Sequence, residues 1–343
     1  MAPGYCRVGV LCRLGGLATC ALLFIALTAC ATTERAAKSA VDVDFGVPKS
    51  ANKPAPAPQL LVPWQTVTGG RLVTKLDANG FPMPGAVQGF KPLVAPSAVA
   101  VRGADIYIAD SGVRKLYRVD TVTQTMSVVP DIEAMPWTQM QVGTDLSLYV
   151  LDPMRQTILH YSRGMQPLQS LGDPYSAISL NGFVLDVPLG QIVASDKISQ
   201  RLVMFSPLGG SALPLNSPVA GEFRALGPLA SDGRTIYAVD GACFCIAAMD
   251  ETGRVKERIG SGVLAQPQAL AADRHGLVFV ADAADRTLKV FLRGELVANY
   301  RAQALHLVGI NALAIDEDVL YIADTAGSRV LSFRIQAPIE GRQ

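Results

Sequence analysis

Six aspartates recur along this 343-residue chain, each closing a short hydrophobic run: Asp110, Asp152, Asp196, Asp240, Asp282 and Asp324. Carboxylates gathered on one face could bind a divalent cation through oxygen, or work as acid and base. Their regular return argues for a different role. A residue present once per repeat serves the repeat, here by accepting N–H groups of a tight turn or by pairing with a neighbouring Arg. The three histidines, His160, His275 and His306, fall at different places within their repeats, so they are not expected to converge on a metal. Cys243 and Cys245 flank Phe244. In a strand their thiols would share one face with Cα atoms about 6.5–7 Å apart, at the upper edge of disulfide geometry. Two small buried side chains in a third strand are one expectation for them, and a redox pair or a metal role is the other. A nucleophile elbow, a phosphate loop and a dinucleotide fingerprint are absent as motifs.

The elements that position these residues follow from the repeat. The runs are Ile106-Tyr-Ile-Ala-Asp110, Leu148-Tyr-Val-Leu-Asp152, Ile192-Val-Ala-Ser-Asp196, Ile236-Tyr-Ala-Val-Asp240, Val278-Phe-Val-Ala-Asp282 and Leu320-Tyr-Ile-Ala-Asp324, at intervals of 42, 44, 44, 42 and 42 residues. Four short strands and four turns fill that length, which is one blade of a β-propeller. The fifth unit predicts an inner strand over Gln268–Asp273, then strands over Leu277–Asp282, Thr287–Leu292 and Glu295–Tyr300. Small residues in Ser97-Ala-Val-Ala-Val101 and Asn311-Ala-Leu-Ala-Ile315 suit inner strands crowded at the axis. The expected fold is all-β, a six-bladed propeller of four-stranded antiparallel blades. The sixth unit lacks an outer strand downstream, and Arg71-Leu-Val-Thr-Lys75 is expected to supply it, since closure removes an exposed edge.

The pattern resembles the NHL repeat, in which a Pro-led first strand is followed by Val-Ala-Asp and then a basic residue. Pro96 with Asp110 and Lys115, Pro267 with Asp282 and Arg286, and Asp324 with Arg329 carry the resemblance over residues 96–335. Asp196 with Arg201 keeps it, Arg155 is shifted, and the fourth unit departs with Cys243-Phe244-Cys245. Two enzyme families resemble the same architecture. Peptide-amidating lyases place zinc-binding His just after the blade-leading Pro, where this chain has Ser97, Trp137 and Gln268. Gluconolactonase-like propellers hold a divalent ion in the channel with Glu, Asn and Asp. Their Glu-Gly-Pro-x-Trp segment is missing here, although Asn311 and the blade-end Asp residues carry suitable oxygens.

The loops leading into the inner strands then form the candidate ligand entrance, with Trp137, Arg155, Tyr175, Lys197, Arg224 and His306. Aromatic and basic groups there suit a small anionic or peptide-like ligand or a protein loop. The expected function is a binding or scaffold protein rather than an enzyme, with no cofactor and no metal. The alternative is a gluconolactonase-like hydrolase or lyase with a divalent ion in its channel.

Composition and the N-terminal segment bound the setting. Half of the residues are hydrophobic, 17% are charged, and 31 Gly with 22 Pro suit many short strands and turns. Arg7 and Arg13 precede an apolar run from Leu17 to Leu27 that is too short to span a bilayer comfortably. Leu27-Thr28-Ala29-Cys30 resembles a bacterial lipobox, which implies a signal peptide over 1–29 and a lipidated Cys30. Ala31 after it resembles the outer-membrane sorting pattern, so the expected place is the cell envelope, anchored in the outer membrane and facing the periplasm. Residues 30–59 read as an Ala- and Pro-rich tether, and 60–343 as the propeller. Without residues 1–30 the chain carries 28 Lys and Arg against 29 Asp and Glu. That balance argues against nucleic acid as a partner and leaves an envelope protein, a peptide or a small ligand. Replacing Cys30 with Ser is expected to abolish fatty-acid labelling in the producing cell; unchanged labelling would remove the lipid anchor from the account.

Overall fold

The computed structural model describes residues 59–173, 178–185, 191–206, 210–215 and 223–336. The leader, Cys30 and nearly all of the tether lie outside them, as does Tyr175. Three strands precede the first blade: β1 (Leu61–Val67), β2 (Gly69–Val73) and β3 (Val87–Pro92). Blade one contains β4 (Pro96–Arg102), β5 (Asp105–Asp110), β6 (Lys115–Asp120) and β7 (Thr125–Val128). Blade two has β8 (Met140–Val142), β9 (Leu148–Asp152) and β10 (Thr157–Tyr161). Blade three is β11 (Leu180–Val184), β12 (Ile192–Asp196), β13 (Arg201–Phe205) and β14 (Leu213–Pro214). Blade four is β15 (Leu226–Ser231), β16 (Ile236–Asp240), β17 (Cys245–Met249) and β18 (Val255–Ile259). Blade five is β19 (Pro267–Ala272), β20 (Leu277–Asp282), β21 (Thr287–Leu292) and β22 (Glu295–Arg301). Blade six supplies β23 (Ala312–Asp316), β24 (Val319–Asp324) and β25 (Arg329–Ile335). Within each blade the neighbours pair antiparallel in chain order, which makes the molecule a six-bladed β-propeller.

The continuous hydrophobic runs have a direct cause. Successive side chains of a strand point to opposite faces, and here each face meets a different neighbouring blade. Ile106 and Ile108 of β5 pack with Tyr321 and Val330 of blade six. Tyr107 and Ala109 of the same strand pack with Met140 and Leu148 of blade two. In blade five, Leu277, Phe279 and Ala281 face blade six, whereas Val278 and Val280 face blade four. The six cores among the described residues therefore lie between blades and not within them.

Ring closure corrects one expectation. The outer strand of blade six is β1 and not Arg71–Lys75: β1 pairs antiparallel with β25, from Leu61 opposite Ile335 to Val67 opposite Val330. The register shifts between Pro63 and Gln65, where Ser332 Oγ accepts the Gln65 N–H and donates to the Gln65 carbonyl. The Arg334 guanidinium stacks 3.4 Å from the centre of the Trp64 ring across the same pair. Pro63 made this segment look unlike a strand in sequence, but an outermost strand tolerates a missing N–H. Leu61 and Val67 are both buried, each in a core that blade six shares with a neighbour.

The segment around Arg71 belongs instead to blade one. β2 runs parallel to β7, with Leu72 opposite Met126, and β3 pairs on its far side, extending that blade to six strands. Gly69 makes the passage between blades possible, because its φ of 148° is open to Gly and a Cβ there would run into the Lys91 carbonyl. The loop joining β2 to β3 is pinned by buried Arg118, which donates to the Gly80 carbonyl at 2.5 Å and to Asp105 at 2.7 and 2.9 Å. Arg163 of blade two reaches the other Asp105 oxygen at 2.8 Å. Blade two departs in the opposite direction. Its outer strand is reduced to two bridges, Ile158 to Leu171 and Tyr161 to Pro167.

Deleting residues 59–67 removes two buried apolar side chains and the whole β1 ladder. That deletion is expected to lower the melting temperature by roughly 10 °C or more, whereas deleting 31–55 should leave it nearly unchanged. Equal effects of the two deletions, by thermal circular dichroism, would contradict the closure scheme.

Candidate functional site

The face at which the inner strands begin is built by the six Asp turns. In each blade the residue four places after the Asp is in the left-handed region without being Gly: Arg114, Gln156, Gln200, Phe244, Arg286 and Ser328, at φ between 48° and 55°. Such a residue is disfavoured by about 1 kcal/mol or more, so something must hold each turn. The Asp does. Asp110 accepts N–H groups from Gly112 of its own turn and from Val94 and Ala95 of the loop entering the inner strand. Asp282 does the same with Ala284, Ala265 and Gln266, and Asp324 with Gly327, Val308 and Gly309. Asp196 bridges Ile198 and Ser199 to Ser179. This is the structural role expected from their recurrence.

The basic partners vary. Arg329 binds Asp324 at 3.3 Å and Arg155 binds Asp152 at 3.1 Å. In blade five the partner is Lys289, 2.7 Å from both Asp282 and Asp285, and not Arg286, which occupies the left-handed position. In blade four Arg258 comes across from β18 to reach Asp240 at 3.2 Å, replacing the basic residue that the Cys-Phe-Cys segment displaces.

The cysteine pair corrects a second expectation. Only Cys245 is in a strand; Cys243 lies in the turn, and the left-handed Phe244 between them brings the Cα atoms to 5.2 Å, where they form a disulfide. Phe244 stands four places after Asp240, as Arg114 does after Asp110, but its residue type does not mark the left-handed backbone.

Within this face the channel mouth has a volume of about 260 Å³ and is lined by Ser97, Trp137, Gln139, Gln268 and Asn311 among others. Its polar side chains link one blade to the next. Gln139 Nε2 donates to the Asn181 carbonyl, Asn181 Nδ2 to the Leu226 carbonyl, and Gln268 Nε2 to the Ile310 carbonyl, at 2.8, 2.8 and 2.6 Å. Ser97 donates to the Met135 carbonyl and Thr325 to the Pro96 carbonyl. Asn311 Oδ1 accepts the Thr325 N–H. A divalent cation of the gluconolactonase kind needs carboxylate oxygens, and the lining of the mouth holds none among the described residues; Gln139, Asn181 and Gln268 form a collar of neutral amides whose N–H groups are engaged between blades. Among the described residues, no three His, Cys, Asp or Glu side chains are grouped to hold a metal ion. The collar does not fit such an ion. The carboxylates of the channel, Asp232, Asp273, Asp316 and Glu317, stand at its opposite end beside Arg102 and Arg274.

Beside the mouth, between blades one and two, lies a groove of about 520 Å³. Ile132, Met135, Val150, Leu151 and Leu159 contribute its apolar lining, and Arg114, Asp131, Glu133, Asp152 and Arg155 bring charge. Arg114 is paired with Glu133 at 2.6 Å. Trp137, 61% exposed, lines both the groove and the channel mouth, and Met154, 91% exposed, stands on the Asp152 turn. Of the expected entrance residues the structure brings Trp137 and Arg155 together. Lys197, Arg224 and His306 are exposed on other loops of this face and line neither cavity. Met154, Met135 and Ile132 were missed by sequence reasoning. The one signal was Met154, a large apolar residue in an Asp turn where blades one, four, five and six carry Gly or Ala and blade three carries Ile198. The histidines do stand apart: His160 stacks on Tyr149 at 4.1 Å, His275 is 3.5 Å from Asp318, and His306 follows a short 3-10 helix.

No family model matches the chain, and no curated protein matches it. Solved structures do. A protein of unknown function from Bacteroides thetaiotaomicron matches with a TM-score of 0.57 at 13% identity, over 79% of this chain and 76% of that one. A gluconolactonase from Xanthomonas campestris matches with a TM-score of 0.56 at 16% identity, over 82% of this chain and 99% of that one. A virginiamycin B lyase from Staphylococcus aureus matches at 0.50 and 11% identity, over 77% and 88%. The likeness is one of fold.

The turn at Asp282 makes this face sensitive to acid. Burial alone would raise the Asp282 carboxyl, but Lys289 and the N–H groups of Ala265 and Gln266 outweigh it and hold the group below its ordinary value. A carboxyl lowered by folding stabilises the fold above its unfolded value of about 4, and that contribution is lost as pH falls through the folded value. Removing Lys289 raises the folded value, so the loss begins at higher pH. Lys289→Gln is therefore expected to move the acid-unfolding midpoint upward, read by circular dichroism. An unchanged midpoint would show that the pair is not coupled to folding.

Proposed function

We propose that this chain is a lipid-tethered binding protein of the cell envelope, and that its ligand is a peptide segment or small molecule carrying a bulky apolar group. The observation that carries the reading is Trp137, an exposed indole that forms a wall of both the groove and the channel mouth. Large apolar side chains left in water beside a concave apolar surface are the usual mark of a docking site. Trp is also the residue type that most often dominates binding energy. Arg155 and Asp152 at the rim pair with each other, so they give polarity without a strong net charge. The tether and the anchor at Cys30, facing the periplasm, follow from the lipobox resemblance and would keep this face near other envelope components.

A second reading is a hydrolase or lyase working at the same mouth. It draws support from the propeller fold shared with a gluconolactonase and a virginiamycin B lyase. The collar of engaged amides counts against a channel ion of the gluconolactonase kind.

Selection of a displayed random peptide library on the protein is expected to enrich sequences with an aromatic or long aliphatic residue. Trp137→Ala should weaken the selected peptides by roughly 30-fold, the equivalent of about 2 kcal/mol. Peptides that bind Trp137→Ala as well as the native protein would overturn the site. One stoichiometric divalent ion by elemental analysis, with chelator-sensitive lactone hydrolysis, would establish the second reading instead.

A further inference from the structure

Cys243 and Cys245 form a disulfide that the fold does not require. Arg114, Gln156, Gln200, Arg286 and Ser328 make the same left-handed turn in the other five blades, none of which has a cysteine there. The bond also closes a very small loop, with one residue between its ends, and the stabilisation a disulfide gives through the unfolded chain grows with loop length. Its surroundings are those of a reactive sulfur pair. Cys245 is fully buried, Cys243 is half-buried on the turn, and Phe244 between them is 48% exposed. Arg258 Nη1 lies 3.6 Å from Cys245 Sγ and 3.7 Å from Cys243 Sγ, and it is held there by Asp240 at 3.2 Å. A guanidinium beside a sulfur favours the thiolate, which makes that sulfur a good leaving group and, once reduced, a good nucleophile.

We propose that Cys243 and Cys245 form a thiol–disulfide exchange site that oxidises cysteine pairs in partner polypeptides. A substrate thiolate attacks Cys243 Sγ, the accessible sulfur; the S–S bond breaks, and Cys245 leaves as a thiolate beside Arg258. The second substrate thiol, deprotonated, then attacks the substrate sulfur of the mixed disulfide and releases Cys243. The substrate loses two electrons and two protons and gains a disulfide; the protein disulfide takes the two electrons and becomes two thiols. A disulfide-bearing partner re-oxidises the pair by the same steps in reverse. Exposed Phe244 gives a polypeptide substrate an apolar contact next to the attacked sulfur, and Arg258 is the positioning residue for the leaving group.

The test uses the full chain without air, with a reduced Cys-Gly-Gly-Cys peptide as probe. One equivalent of oxidised peptide and two new protein thiols per chain are expected, with the circular dichroism spectrum unchanged. Alkylation of the reduced pair with iodoacetamide should titrate a unit or more below the ordinary thiol value of about 8.5. Arg258→Met should return that profile to the ordinary range and slow exchange about tenfold, whereas Arg258→Lys should keep the lowered profile. Thiols that appear only as the fold is lost would overturn the proposal, as would an ordinary alkylation profile in the native protein. Both of those readings are made without a variant, so they stand even where Arg258→Met fails to fold.

Discussion

A strand packed on both faces cannot be stable by itself, and every second strand of this ring is in that position. β20 sends Leu277, Phe279 and Ala281 toward blade six and Val278 and Val280 toward blade four, so neither face is dry until both neighbours have arrived. At roughly 1.5–3 kcal/mol for each large apolar side chain buried, the stabilisation resides between blades. The consequence is that the ring has no dispensable member. An open ring would leave two apolar faces in water, which is why the joint between β1 and β25 matters out of proportion to its seven residues.

The Asp turns solve a second problem with the same residue. Each must hold a left-handed, non-Gly residue and also fix the loop that delivers the chain to the axis. In blades one, three, five and six one carboxylate does both, taking N–H groups from the turn and from the loop. With the backbone so fixed, the side chains of the turn are released from structural duty. That freedom explains why the variation among blades is concentrated there: Met154 and Arg155 at the groove, Lys289 drawn in from the next strand, and a disulfide at Asp240.

Much of this was legible in the sequence because a repeat reports itself. The Asp period gave the blade count, and small residues such as Ala98, Ala100 and Ala269 marked the inner strands. What escaped was whatever broke the period. Pro63 disguised the closing strand, and no earlier unit prepares for the β2–β3 extension, whose parallel pairing with β7 is a long-range event. The cysteines were read with strand geometry because the left-handed place four residues after each Asp is a property of the backbone and is filled by Arg, Gln, Phe or Ser. The groove draws residues 131–138 to residues 150–159, and apolar side chains such as Ile132 and Met154 carry no motif. Architecture written in repetition is readable from one chain; a binding surface written in departures from it needs coordinates.

The closing pair also sets the order in which the protein can be finished. Gln65 and Ser332, which bond to each other, are 267 residues apart, and synthesis delivers the first long before the second. The outer strand of the last blade is thus made first and must wait, unpartnered, while five blades are assembled. Bringing such distant segments together adds little entropic cost beyond that of a shorter loop, since the cost grows only logarithmically. What it does impose is a completeness check. A chain cut short anywhere before β25 keeps one apolar blade face and one orphan strand in solvent, the surface that chaperones and proteases recognise. Translation errors late in the message are therefore as visible to cellular surveillance as errors early in it.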